Sequence, residues 1–284
     1  MTNGPLKSDT IKVGDNFVAT LERVADPAAR SVVFLHGIGS RASSFASLLG
    51  TMTQSQSVLA WDAPGYGNST AFLEDWPVAL DYATRLRDLL DARAMQRPVD
   101  LVGHSLGCLM AAAFARAYPD RVRKLVLMAP ALGYRVPPDG NMPDAVAARI
   151  IDMETHGPAR MADLRAERLV DEPAGKPAIV AAVRRAMASV TMPGYAQAVR
   201  MLASGDLLAD LDDIAVPVLV LTGANDRVTP PAGAERARDV LAARPFRRGA
   251  ADRYIAIAAA GHAVYLEAQI EVVAALQSFL ETSP

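Results

Sequence analysis

Five residues, GHSLG at 103–107, set a hydroxyl between small neighbours two positions before and two after it. They close PVDLVGH, a strand-forming run, and open LGCLMAAAFARA, an alanine-rich helical run. A serine at so tight a strand-to-helix turn takes strained backbone angles, so both flanking positions must lack bulk, as Gly103 and Gly107 do. The turn lifts the hydroxyl of Ser105 clear of a sheet and aims the first helix amides, that of Leu106 included, at the same space. A nucleophile beside an anion site is the chemistry such a turn can do. Two glycines and a serine also occur together by chance; the strand before and the helix after select the functional reading.

A serine hydroxyl is a weak nucleophile at neutral pH and needs a base, which in turn needs an oriented partner. Four histidines are available. His156 stands in METHGPAR, His36 closes the run SVVFLH, His104 is inside the turn itself, and His262 follows Gly261 after the last strand-like run. Only His262 falls late enough for the chain order serine, acid, histidine that hydrolases with this turn use. For the acid, LTGANDRVTP puts Asp226 just beyond the run 216–222. Its plain alternative is a turn or helix-capping aspartate before Pro230. The preceding strand-like run ends in VLMAPALG, which offers no acid.

A developing oxyanion needs a second amide besides that of Leu106, and FLHGIGS supplies one. Gly37 lets the loop pass close to the centre, so the amide of Ile38 can face the negative charge. His36 is expected to hold that loop by hydrogen bonds. Arg227, beside the acid, is a candidate for meeting a substrate carboxylate, against the plainer reading of a solvated or Asp-paired arginine. Cys108 reads as a small buried hydrophobe.

The elements that must position these residues follow from periodicity. IKVGDNFVATLERV alternates around Gly14-Asp15 and predicts an antiparallel hairpin over 11–24. SVVFLHG, SVLAWDAPG, PVDLVGHS and VRKLVLMAP are continuously apolar, as parallel strands covered on both faces must be. Helical patterns over 43–52, 77–95 and 106–117 separate them, so the alternation implies an α/β protein with a mostly parallel, doubly wound sheet. From 132 to 215 the rhythm stops, prolines interrupt short helical stretches, and about eighty residues are too many for a loop. That segment is expected to be a helical cap inserted between a first part of the core, 1–131, and a second part, 216–284. The strand rhythm resumes at VPVLVLTGAND, then come a helix, the strand DRYIAI and a terminal helix over 263–281. Tyr134, Met142, Met153, Met161, Met187, Met192, Tyr195 and Met201 enrich the cap in pliable side chains. Each is individually ordinary packing, and together they favour a small, largely apolar substrate.

Composition bounds the rest. Across 284 residues, 51% hydrophobic and 21% charged residues provide a packed core without the signature of disorder. Lysine and arginine number 29 against 31 acids, and no basic stretch interleaves aromatics, so no nucleic-acid partner is expected. No basic start with an apolar run opens the chain and no eighteen apolar residues run together, so the expectation is a cytoplasmic protein with no membrane association. One cysteine and four histidines without metal-ligand spacing imply no disulfide, no metal site and no cofactor. A homo-oligomer stays open.

Four motifs in order, HGIG, WDAPGYGNS, GHSLG, and the pair GANDRVTP with GHAVYLE, resemble the α/β-hydrolase superfamily over essentially the full length. The resemblance implies an eight-stranded sheet with an inserted helical cap and a Ser105, Asp226, His262 triad. It is far less specific for a substrate. The chain looks most like the capped small-molecule members: carboxylesterases, enol-lactonases of aromatic catabolism such as 3-oxoadipate enol-lactonase, and carbon–carbon hydrolases acting on ring-cleavage products. Those carbon–carbon hydrolases carry Gly-Pro-Gly where this chain has HGIGSRASSF. Dehalogenases and epoxide hydrolases of this fold use aspartate at the turn, which Ser105 opposes. The expected activity is hydrolysis of an ester or lactone through an acyl-enzyme. The alternatives are carbon–carbon bond hydrolysis, acyl transfer, a lyase reaction, or a slow-turnover ligand receptor.

Overall fold

A computed structural model describes residues 4–25, 29–53, 55–244 and 252–282. The chain begins with β1 (Lys7–Val13) and β2 (Asn16–Arg23), joined at Gly14-Asp15, followed by β3 (Ser31–Leu35), α1 (Ala46–Thr51), β4 (Ser57–Trp61) and α2 (Ala79–Ala92). Next come β5 (Val99–His104), α3 (Gly107–Ala117) and β6 (Val122–Met128). Four helices then intervene, α4 (Asp144–Arg165), α5 (Pro177–Met187), α6 (Gly194–Ser204) and α7 (Leu207–Asp212), before β7 (Val218–Gly223) and α8 (Pro231–Ala243). The chain closes with β8 (Arg253–Ile257), α9 (Val264–Glu267) and α10 (Gln269–Leu280).

Among the described residues eight strands form one sheet in the order β1-β2-β4-β3-β5-β6-β7-β8. β1 pairs with β2, and β2 with β4, in antiparallel fashion; the other neighbours are parallel. The parallel strands read as continuously apolar because both their faces are covered. On β5 Leu101 faces the layer of α2, α3 and α8, while Val102 faces that of α1, α9 and α10. Leu125 and Leu127 against Val126 and Met128 repeat this alternation on β6. Each such side chain, fully removed from water, contributes about 1.5–3 kcal/mol of burial. Truncating one of them, as in Leu101→Ala, would cost about 2–5 kcal/mol.

Two elements differ from the sequence expectation. The hairpin starts at Lys7, four residues before the alternation does, because KSDT lies on the sheet edge, exposed, and is held by backbone pairing with β2. The terminal helix is broken at Ala268 into α9 and α10. In the insert, α4 is interrupted at Gly157, whose φ of 74° precedes Pro158, and the turn lets Arg165 reach back to Asp152 at 2.7 Å. The last insert helix, α7, lies against α3 and α8 of the sheet's own helical layer. No helix among the described residues is long and apolar enough to cross a membrane.

Candidate active site

Ile38, Ser105, Asp226 and His262 all follow the carboxyl ends of parallel strands, β3, β5, β7 and β8 respectively, at the rim where open α/β sheets form crevices. Ser105 has a φ of 53°, the left-handed conformation that a tight strand-to-helix turn requires. A side chain at either flanking glycine is impossible without moving backbone. A Cβ on Gly103 would lie 2.5 Å from the Gly107 carbonyl oxygen, and one on Gly107 would lie 2.2 Å from that of Leu35. The Ser105 amide donates to Met128 O at 2.9 Å, tying the turn to the end of β6.

The candidate amides of Leu106 and Ile38 are oriented by what their peptide carbonyls do. In a trans peptide the C=O and the following N–H point in opposite directions. The Ser105 carbonyl accepts from the amides of Cys108 (3.0 Å) and Ala131 (3.2 Å), which turns the Leu106 N–H the other way. The Gly37 carbonyl accepts from the Ser40 amide (3.1 Å) and from His36 Nδ1–H (2.8 Å), and the Ile38 N–H is turned in the same manner. Tyr66, buried and edge-on to His36, donates its hydroxyl to Ile38 O at 2.8 Å and fixes the next peptide as well. Gly37 itself comes close, since a Cβ there would sit 3.0 Å from that of Ser105.

His36 has both ring nitrogens engaged, because Nε2 accepts from the Ala63 amide at 3.0 Å. Its place is structural, and burial lowers its pKa below the usual range.

His262 Nδ1 lies 2.8 Å from Asp226 Oδ2, with both side chains buried. A carboxylate only accepts, so the proton sits on Nδ1 and Nε2 is the ring nitrogen left for proton exchange. Asp226 Oδ1 accepts from the amides of Val228 (2.7 Å) and Thr229 (2.9 Å). Burial raises the Asp226 pKa, but the hydrogen bond and charge of His262 and those two amides outweigh it, so the carboxyl is held below its ordinary range. Thr229 Oγ1 completes the cluster, 2.8 Å from Asp226 Oδ2, 3.1 Å from His262 Nδ1 and 3.0 Å from the Ala129 carbonyl at the end of β6.

Further contacts hold the His262 loop. His104 Nε2–H donates to His262 O at 2.9 Å, the two rings being 5.0 Å apart, while His104 Nδ1 is buried without a partner. Burial, then the neighbouring His262 imidazole, pushes His104 down to about 3. Glu267, with a fully buried carboxylate, accepts from the amides of Gly261 (2.9 Å) and Asp171 (2.8 Å) and from Lys176 Nζ (2.9 Å). It clasps the insert to the His262 loop.

Above Ser105 lies a cavity of about 490 Å³ whose wall includes Ile38, Leu106, His262, Leu132, Leu169, Val183 and Leu202. Of the eight Met and Tyr residues singled out in the insert, Tyr134 and Met187 reach its wall; Met153, Met161, Tyr195 and Met201 are packed in the interior. Arg149, Arg165, Arg168 and Arg236 also line it, which spacing in the sequence does not signal. Arg227 instead turns to the Val170 carbonyl at 3.4 Å. Cys108 is buried with its thiol toward Gly103 O at 3.2 Å, and burial raises its pKa far above the ordinary thiol value. His156 is exposed on the insert.

A family model described as the alpha/beta hydrolase family matches residues 32–276, from β3 into α10 and through all four strand ends of this rim. The chain belongs to the alpha/beta hydrolase family. Within that family, the (E)-2-((N-methylformamido)methylene)succinate hydrolase of Acinetobacter baylyi is 29% identical over 98% of this chain and 99% of its own length. The pimeloyl-(acyl-carrier protein) methyl ester esterase of Neisseria meningitidis is 28% identical over 92% of this chain and 80% of its own length. The crystal structure of an enol-lactonase from Burkholderia xenovorans superposes with a TM-score of 0.84 at 21% identity, covering 96% of this chain and all of that one. This alpha/beta hydrolase shares that fold and is an enzyme of the hydrolase class.

Proposed function

We propose that the protein is a serine hydrolase that cleaves an ester or lactone bond of a small carboxylic substrate through an acyl-enzyme on Ser105. The observation that carries this reading is a strained serine and a histidine facing one cavity, the histidine's far nitrogen being held by a buried, ionised aspartate. In the proposed cycle His262 Nε2 takes the Ser105 proton as the oxygen attacks the substrate carbonyl, and Asp226 keeps the imidazole in one tautomer and stabilises its charged form. The amides of Ile38 and Leu106 receive the tetrahedral oxyanion. Loss of one such donor typically costs about 3–4 kcal/mol of transition-state stabilisation. His262 then returns its proton to the leaving group and activates water, which releases the acid. Residues 132–215 act as the cap that roofs the cavity and shields the acyl-enzyme.

Hydrolase relatives that span most of both chains support hydrolysis, and the methyl ester esterase among them supports the bond type. The decisive experiment treats purified protein with a fluorophosphonate and with 4-nitrophenyl esters of short acids. Covalent labelling of the peptide containing Ser105, together with turnover that vanishes in Ser105→Ala, is the expected result. Turnover that persists in Ser105→Ala overturns the assignment.

A further inference from the structure

The charged residues on the wall of the Ser105 cavity are all of one sign. Four arginines line it, and no aspartate or glutamate among the described residues does. They arrive from separate elements: Arg149 from α4, Arg165 from its end, Arg168 from the 3-10 turn Ala166–Leu169, and Arg236 from α8. Arg165 is neutralised by Asp152 at 2.7 Å. The other three have no carboxylate partner among the described residues. Asp226, set behind His262, offers them nothing, since its side chain is fully buried and both oxygens are already engaged.

Arginines on a solvated surface need no partner, but these face a cleft, where low-dielectric walls concentrate the field and attract anions. Arg149 is half-buried, its Nε is fully buried without a hydrogen-bond partner, and its guanidinium lies beside the buried Tyr195 hydroxyl. A planar guanidinium presents paired N–H donors whose spacing fits the two oxygens of a carboxylate. Leu132, Val183 and Leu202 add apolar surface to the same wall, and about 490 Å³ admits a small molecule.

We propose that Arg149, Arg168 and Arg236 form a carboxylate-binding wall, so that the substrate bears a free carboxylate at the end remote from the bond that is cut. The ester or lactone part of this statement rests on the serine-hydrolase reading above; the anion part does not. The substrate class is thus a half-ester or an acidic lactone with a short apolar body. Hydrolysis adds water across the acyl–oxygen bond and yields a second carboxylate together with an alcohol, so the product is a dicarboxylate or, from a lactone, a hydroxy-dicarboxylate.

The test compares two esters of equal acyl length, mono-4-nitrophenyl glutarate and 4-nitrophenyl valerate. The ratio of their kcat/KM values should favour the acidic ester and fall at least tenfold in Arg168→Gln and Arg236→Gln, and again when salt is raised. These two exposed positions keep the test sound if Arg149→Gln fails to fold. A ratio that favours the neutral ester, or one that the variants leave unchanged, overturns the proposal. Ser105→Ala protein titrated with glutarate should show saturable binding that weakens in the same arginine variants. Absence of binding, or phosphate bound in preference to glutarate, also overturns it. Should neither ester turn over in a Ser105-dependent way, the hydrolase reading fails, and the glutarate titration still decides the wall.

Discussion

His104 Nε2–H donates to the carbonyl oxygen of His262 at 2.9 Å, so the strand end that carries Ser105 also anchors the loop that carries His262. The two residues are 158 positions apart in the chain, and their backbones are set against each other by this bond. Removing the donor should loosen the alignment of the two chain segments.

His104→Ala is accordingly expected to lower kcat roughly ten- to hundredfold, the scale of a misplacement near 1 Å, while KM moves little. Steady-state kinetics on an ester checks the split, and a KM change equal to the kcat change would contradict it.

The same histidine should make stability pH-dependent. Its pKa is about 3 in the folded protein against 6.5 for an unperturbed histidine, so the unfolded chain binds more protons between those values. Stability is therefore complete above about pH 6.5 and is lost as pH falls toward 3. His36, also lowered by burial, adds to the loss over the same direction, and Asp226, lowered from 3.8, extends it into stronger acid. Each group contributes up to about 1.4 kcal/mol per pH unit while it titrates. Urea midpoints measured from pH 7 to pH 4 should decline steadily, and less steeply in a folded His104→Asn variant.

Under the proposed mechanism Ser105→Ala and His262→Ala each lower kcat by at least about 10⁴, and the double variant is scarcely worse, because the residues act as one unit. Asp226→Asn is expected to lose somewhat less. Normal turnover in His262→Ala would contradict the role given to His262.

Tyr66→Phe tests the Ile38 loop. It removes the 2.8 Å bond to Ile38 O and leaves that carbonyl without its donor, a stability change of about 1 kcal/mol. Under the proposed mechanism the expected signature is a kcat several-fold lower with KM near the wild-type value, because the loop would orient an amide used most in the transition state. Calorimetric melting and kinetics together separate this from general unfolding.

Much of the frame is readable from local pattern. Continuous apolar runs mark β3 to β7 because both faces of each are covered, and the glycines around Ser105 mark the turn because backbone atoms fill the space their side chains would need. The start of β1 escapes that reading, since KSDT is polar and held by backbone bonds alone. Thr229, three residues after Asp226, could have been noticed as the partner closing a turn on that carboxylate. Tyr66 and Glu267 stand inside quoted motifs, yet nothing in their spacing names the peptide each one holds.

By itself the sequence determines where the strands run, where the serine turn falls, and that an acid and a histidine follow it in order at later strand ends. Those properties depend on neighbours within a few residues, and periodicity records them directly. Which nitrogen of His262 carries the proton, which histidines are structural, and the sign of the charge around Ser105 were decided only when the chain folded. Arg149, Arg168 and Arg236 look like three ordinary solvated arginines among 29 basic residues. They come together because α4 and the turn after it and α8 contribute to the wall of one cavity, and electrostatics responds to distance through space rather than to position along the chain.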